Sequence, residues 1–265
     1  MHSSWSDVWQ QVNAADETNG ERWSTVSDFP SRMAQAFYTY HIKPLLPPLP
    51  SSPSLPPLQC FDPFLPLPDT GEHGSLAPSI LDIGCGQLSN ARYFSQKGLR
   101  VVGVDKSPLH PTGPLPPIVG PLGSVTFYVA DACELPFSDA AFDFVFSDGV
   151  LYYGDIDFFL AALTEADRVL RIGGTLRFNV KSSNDMHFFS ESRELIEPVD
   201  IRQVIARKGW EAGLPILGFG ESALRELLVS QFPRWELKIG MEYFHYTSTD
   251  ASNLHCFLVV TAVKT

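Results

Sequence analysis

The chain has 265 residues, 44% hydrophobic and 18% charged, so it can bury a core of its own and is too apolar to be disordered. Its formal net charge of −11 and pI near 5.0 set the surface against phosphate backbones, and bulk nucleic-acid binding is disfavoured. Four cysteines without CxxC spacing argue against zinc and redox motifs, Met1–Gln11 lacks a signal peptide's apolar stretch, and no apolar run reaches the ~18–20 residues that span a bilayer; a reduced, cytoplasmic protein without bound metal or membrane span is expected.

Residues 1–43 read as helical. Trp5, Val8, Trp9 and Val12 share one helix face, and a second helix is predicted from Pro30 to Ile42 with Met33, Phe37 and Tyr40 on its apolar side and Pro44 as its stop. Residues 44–76 change character: ten of the 22 prolines lie between Pro44 and Pro68, which suits a linker or loop and not a packed element. PxxP spacings occur there, but the composition alone produces them. From Ala77 to the end of the chain, strand and helix alternate. Strands are predicted at 79–83, 100–104, 125–129, 142–146 and 175–180, with helices at 88–97 and 156–170. Gly98 stands where a helix-ending glycine belongs, and Gly173-Gly174 is read as a turn before the fifth strand. A further helix at 221–232 precedes two strands, 235–243 and 254–263, joined by a polar loop. The pattern is that of an α/β sheet with helices on both faces.

Chemistry concentrates at the predicted carboxyl ends of these strands. Leu81-Asp82-Ile83-Gly84-Cys85-Gly86 closes an apolar strand and opens a helix, and its two glycines let the backbone turn sharply beside a ligand. Ligands of such sheets bind at the switch point beside the first strand. Asp105 ends the second strand 21 residues after Gly84, where a carboxylate can accept both hydroxyls of a ribose. Asp131-Ala132 ends the third strand, where a carboxylate can accept from an adenine amino group. Asp148-Gly149 follows the fourth strand on the same rim.

The segments ILDIGCG, VVGVD, ADACELPF, FDFVFSDGVLYY and ADRVLRIGGTLRF, in this order, resemble the successive motifs of class I methyltransferases that use S-adenosylmethionine (SAM). The likeness is to their small-molecule, ubiquinone-biosynthesis-type group and is strongest over 77–180. It implies a Rossmann-like, mostly parallel sheet of seven strands with an antiparallel last strand, and a helical N-terminal extension. It also implies SAM as cofactor and a small-molecule methyl acceptor. Asp82, Gly84, Cys85 and Gly86 would then line the methionine and ribose part of SAM. Asp105 would hold the ribose and Lys106 would pack beside the adenine. Asp131 and Ala132 would meet the adenine edge, and Asp148 and Gly149 the amino end of the methionine. Two departures stand out. Leu88 occupies a position where the family often has a third glycine, leaving Gln87 or Asn90 as side-chain partners. Residues 107–122 hold six prolines where a helix usually follows the second strand.

Methyl transfer needs alignment and exclusion of water more than a base, so a missing catalytic triad is no objection. Tyr152 and Tyr153 after the fourth strand and Asn179 at the end of the fifth are the acceptor-side candidates. Each also has a plain alternative: packing for the tyrosines, a surface cap for Asn179 and its neighbour Lys181. His255 is read as a possible base or, with greater weight, as a histidine satisfied across strands; Arg22-Trp23 is a candidate cap over the cofactor carboxylate. Two other functions stay open, a nicotinamide-dependent oxidoreductase and a non-catalytic SAM-binding protein. Against the first, Asp82 stands two residues before Gly84, where dinucleotide sites prefer an apolar side chain.

Overall fold

The computed structural model describes residues 30–46, 77–108, 124–185, 201–206, 213–245 and 254–265. The expected helix around Trp5, the Arg22-Trp23 cap and most of both proline-rich stretches lie outside the described residues. Within them, strand β1 (Ser79–Ile83) is apolar in three of five positions and buried along its whole length, as a central parallel strand must be. It pairs in parallel with β2 (Arg100–Asp105) on one side and with β4 (Phe142–Ser147) on the other. Strand β3 (Ser124–Val129) lies outside β2, and β5 (Leu170–Ser182) outside β4. The order β3-β2-β1-β4-β5 reverses direction of growth beside β1, which opens a crevice at the carboxyl ends of the strands.

Alternate residues of each strand feed two separate cores, because successive strand side chains point to opposite faces. On one face Ile80, Val101, Phe144 and Phe146 pack against α1 (Arg32–Phe37) and α2 (Ser89–Gln96). On the other, Leu81, Val102, Val145, Leu176 and Phe178 pack against α3 (Ile156–Val169) and α4 (Glu221–Gln231). Asp155 caps α3 through its side chain, which accepts from the Phe158 N–H at 2.9 Å. Helix α3 buries Phe159, Ala162, Leu163, Ala166 and Val169, and Leu160 is partly covered.

The seven expected strands are all present, and two more join them. Strands β8 (Trp235–His245) and β9 (Leu254–Lys264) form an antiparallel hairpin, and β9 pairs antiparallel to β5 from Thr175↔Val263 to Lys181↔Phe257. The additional pair is β6 (Ile201–Ile205) and β7 (Pro215–Phe219), making nine strands in the sheet. Lys181 faces Phe257 on one edge of β5 and Gly218 on the other, so β7 must lie on the edge that β4 occupies lower down. The β6–β7 hairpin thus continues the sheet past the end of β4. The turn expected at Gly173-Gly174 is instead a bulge within β5, whose pairing steps from Phe142↔Leu170 to Phe144↔Thr175. Leu170 is fully buried, which starts the strand directly at the end of α3.

The helix predicted at 30–42 is present, with Ser31 as its cap, but it changes pitch. After Phe37 it continues as a π-helical turn, Tyr38–Ile42, and ends in a 3₁₀ turn, Lys43–Leu45. The wider turn rotates Ile42 into the core and leaves Tyr40 74% exposed, against the expected apolar face. Phe37 is fully buried, stacked on Phe146 and edge-on to Phe94 and Phe144. No helix among the described residues is long and apolar enough to cross a membrane. Phe37→Ala should cost about 3–5 kcal/mol of folding stability, as for other buried phenylalanines. Urea unfolding measures this, and a loss under about 1 kcal/mol would show that α1 is not part of the core.

Candidate cofactor site

The carboxyl end of β1 is shaped by backbone contacts that only small residues allow. The N–H groups of Gly84 and Cys85 both donate to the Val104 carbonyl, at 2.8 and 3.0 Å, which folds the loop flat against the end of β2. Gly84 has φ +70°, and a Cβ there would lie 2.1 Å from Val150 Cγ2. Gly103, opposite Asp82 in the β1–β2 register, makes room for Cys85 Sγ and Leu88, which a Cβ would meet at 2.8 and 2.9 Å. Leu88 itself adopts φ +68°, the left-handed conformation in which a glycine carries no steric penalty. Its side chain is 2% exposed, so burial offsets that strain.

A cavity of about 350 Å³ opens over this loop. Nine of the ten residues expected to hold the cofactor line it: Gly84, Cys85 and Gly86 after β1, Asp105 and Lys106 after β2, Asp131 and Ala132 after β3, and Asp148 and Gly149 after β4. The tenth, Asp82, lies outside the lining, 1% exposed, and its Oδ2 has no hydrogen-bond partner among the described residues. Tyr153 and Phe158 also line the cavity. So do Gln87, Ser89, Asn90, Ser107 and Val150. Of these Gln87 and Asn90 were legible as polar groups beside the turn; Ser89, Ser107, Val150 and Phe158 carried no signal of their own.

The acidic groups are held in different ways. Asp105 Oδ2 accepts from the Gly86 N–H at 3.0 Å and Oδ1 from the Ser107 N–H at 2.9 Å. Burial raises its pKa, and these N–H groups oppose the rise. Asp82 is pushed well above the ordinary carboxylate range by burial, then by the negative fields of Asp148 and Asp105. Asp148 is raised by burial and opposed by hydrogen bonds from Ser31 and Asn179 and by the Arg177 charge. Asp131 goes the other way. Burial would raise it, but the Lys106 ammonium at 2.8 Å and the Cys133 N–H at 3.0 Å win, and its pKa is lowered. Burial pushes the Cys85 thiol far up, so it is neither a thiolate nor a nucleophile at neutral pH.

The acceptor-side candidates separate. Tyr153 lines the cavity and Tyr152 stands behind it, with their hydroxyls 3.4 Å apart. Asn179 is no surface cap. It is 6% exposed, donates from Nδ2 to Asp148 Oδ1 at 2.6 Å and accepts from the Gly149 N–H at 2.8 Å. It therefore clamps the loop after β4 from behind. Lys181 is likewise buried, with Nζ 3.0 Å from His255 Nδ1 and 3.5 Å from Asp185 Oδ2. His255 is thus partnered across β5 and β9, as the weightier of its two readings had it.

The methyltransferase domain family matches residues 81–178, the stretch that contains β1, β2, β4, α3 and the loops around the cavity. A probable chloroplastic tocopherol O-methyltransferase of Oryza sativa subsp. japonica is 36% identical over 87 residues, 32% of this chain and 24% of that protein. A malonyl-[acyl-carrier protein] O-methyltransferase of Serratia marcescens is 29% identical over 136 residues, 49% of this chain and 51% of that protein. The chain thus spans about half or less of the curated relatives it matches. Among solved structures, the 1,6-didemethyltoxoflavin-N1-methyltransferase of Burkholderia thailandensis superposes with a TM-score of 0.60 at 20% identity. The superposition covers 100% of this chain and 92% of that one, whose structure holds 1,6-didemethyltoxoflavin and S-adenosylhomocysteine. Residues 81–178 are thus similar to a methyltransferase domain, and the chain shares its fold with that solved neighbour.

The bonds that Asp105 makes set what its removal should do. Asp105→Ala should cost about 1–3 kcal/mol of stability by stranding the Gly86 and Ser107 N–H groups. Asp105→Asn keeps an acceptor for one of them and should cost less. If the carboxylate also holds ribose hydroxyls, both variants should weaken SAM binding by roughly tenfold to a thousandfold, at 1.4 kcal/mol per decade. Calorimetric titration of SAM into the Asn variant decides the matter; wild-type affinity there would remove Asp105 from the ribose.

Proposed function

We propose that this protein transfers the methyl group of SAM to a small-molecule acceptor by in-line displacement. The observation that supports this best is a set of three acidic residues at one cavity, Asp105 and Asp148 on its wall and Asp82 behind it, buried and in the negative fields of the other two. The buried oxygens Asp82 Oδ2 and Gln87 Oε1 beside it have no partner among the described residues. Unpaired buried acceptors are costly, and a cationic ligand bearing N–H donors would relieve both the repulsion and the missing hydrogen bonds. SAM has an ammonium group and a sulfonium, and the residues present fit it.

When bound, SAM supplies a methyl group on positively charged sulfur. The acceptor's lone pair forms the new bond to that carbon as the C–S bond breaks. The electron pair returns to sulfur, leaving S-adenosylhomocysteine, and any acceptor proton departs. On this reading Asp82 and Asp148 favour the ammonium and Asp105 accepts from the ribose hydroxyls. Asp131, steadied by Lys106, faces the adenine edge with Ala132. Gly84, Cys85, Gly86 and Gly149 let the ligand lie close to the backbone. Tyr153, backed by Tyr152, reaches the acceptor, and Asn179 fixes the loop that carries Asp148. The curated relatives named above are O-methyltransferases and the solved neighbour is an N1-methyltransferase, so the atom methylated here belongs to the acceptor-side residues. The nicotinamide alternative finds no support in the family match or in these relatives.

SAM and S-adenosylhomocysteine should each raise the unfolding midpoint, with about 2.7 kcal/mol of stabilisation at a hundredfold excess over Kd, and NADH should not. Labelled SAM with a metabolite extract should then pass its label to a small molecule. A midpoint shift with NADH and none with SAM would overturn the assignment; SAM binding without transfer to any extract component would leave a binding protein.

A further inference from the structure

We propose that Phe158 decides how bulky a nucleoside the cavity admits, and that Gly154 is the positioning residue that sets where the Phe158 ring stands. The inference rests on reading the cavity as a SAM site, with the adenine edge at Asp131 and Ala132. Phe158 lies in the first turn of α3 and lines the cavity. Its neighbours Phe159 and Ala162 go into the core, whereas Phe158 stays half-buried. Three contacts hold it there. Its N–H donates to Asp155 Oδ1 at 2.9 Å. Its carbonyl accepts from the Cys133 thiol at 3.8 Å, which ties it to the loop after β3, two residues beyond Asp131. Its ring lies over Gly154, where a Cβ would stand 2.7 Å from Phe158 Cδ1 and 3.0 Å from Cγ. Gly154 is itself fastened, since its N–H donates to the Pro215 carbonyl at 3.2 Å and Tyr153 before it bridges to Ile216 of β7.

The consequence is steric. The ring has no room to retreat, because the Gly154 backbone closes the space behind it. A flat base with its amino group at Asp131 would lie against Phe158, and a substituent on that amino group would meet the ring. Aromatic rings favour flat heteroaromatic partners whatever the base, so Phe158 sorts ligands by bulk and not by hydrogen bonding. A side chain at position 154 would drive the ring into the space the base needs. The methionine end of the ligand, on the side of Asp82 and Asp148, would be untouched by either change.

Calorimetric titration with S-adenosylhomocysteine and with its N6-benzyl derivative tests this, with unfolding midpoints measured beside it. Wild-type protein should hold the benzyl derivative about fivefold to a hundredfold more weakly than the parent, as overfilling a packed space costs. Phe158→Ala should weaken the parent by about the same factor, as when a base loses one aromatic contact. It should bind the benzyl derivative more tightly than wild type does, because the substituent fills the space the ring leaves. Phe158→Leu should fall between the two and carries the test if the Ala variant does not fold. Gly154→Ala should weaken the parent, and adding Phe158→Ala to it should restore the affinity of Phe158→Ala alone. A double variant no better than Gly154→Ala would reduce Gly154 to a backbone requirement and overturn its positioning role. The same ratio of affinities for the two compounds in wild type and in the Phe158 variants would place the ring away from the base and overturn the proposal. Wild-type protein that binds neither compound would instead overturn the function on which it rests.

Discussion

The close approach of backbone to backbone at the carboxyl end of β1 governs the rest of this structure. Two successive N–H groups, those of Gly84 and Cys85, share the Val104 carbonyl, and Gly86 donates to Asp105. Val150, from the loop after β4, packs where a Cβ of residue 84 would be. Three strand ends are thereby drawn to one point, and the residues they carry face one cavity. The same tightness explains Gly103, which lies inside β2 and touches no ligand space, yet leaves the volume that Cys85 and Leu88 occupy. Packing of this density tolerates little change in side-chain volume.

That convergence brings like charges together. Asp148 and Asp105 set negative fields on Asp82, which is buried with an oxygen unpaired among the described residues. Such an arrangement is unfavourable for the empty protein and favourable for a cation, which is how a site gains affinity at the cost of stability. The protein limits the cost with short neutral contacts. Backbone N–H groups brace Asp105, and Asn179 braces Asp148. After β3 the balance is reversed, since Lys106 already offsets Asp131. The loop that carries Asp131 is fastened to α3, where Arg168 donates to the Leu135 and Phe137 carbonyls and Glu165 accepts from the Leu135 N–H.

The tyrosine side of the cavity is built from other parts of the chain. The β6–β7 hairpin extends the sheet past β4, and the Leu217 N–H donates to the Tyr152 carbonyl at 2.8 Å. Tyr152 and Tyr153 are thus held by backbone pairing to a segment outside the matched methyltransferase stretch. Lys181 sits one pleat beyond Asn179 on β5. Its ammonium lies 3.9 Å from the centre of the Phe257 ring and against the His255–Asp185 pair, a buried polar cluster that stiffens this end. The cavity loops and this buried cluster are therefore separate in sequence and joined through β5.

Much of the cofactor side was legible in the sequence because its determinants are local. Apolar runs bounded by glycine and aspartate mark parallel strands and their ends, and all seven expected strands are present for that reason. The acidic residues at those ends needed no knowledge of distant contacts to be singled out. The pitch of the N-terminal helix was not legible: a π-helical turn answers to the cavity between Phe94, Phe144 and Phe146 that Phe37 must fill, and so Ile42 and not Tyr40 faces inward. Nor was the work of Asn179, whose partners lie some 30 residues away in the loop after β4, or the bond from the Ser31 N–H to Asn90, 59 residues away. Strand ends and turns are set by neighbours along the chain. Hydrogen bonds between distant side chains, and the charge balance they set, exist only once the sheet has brought its strand ends together.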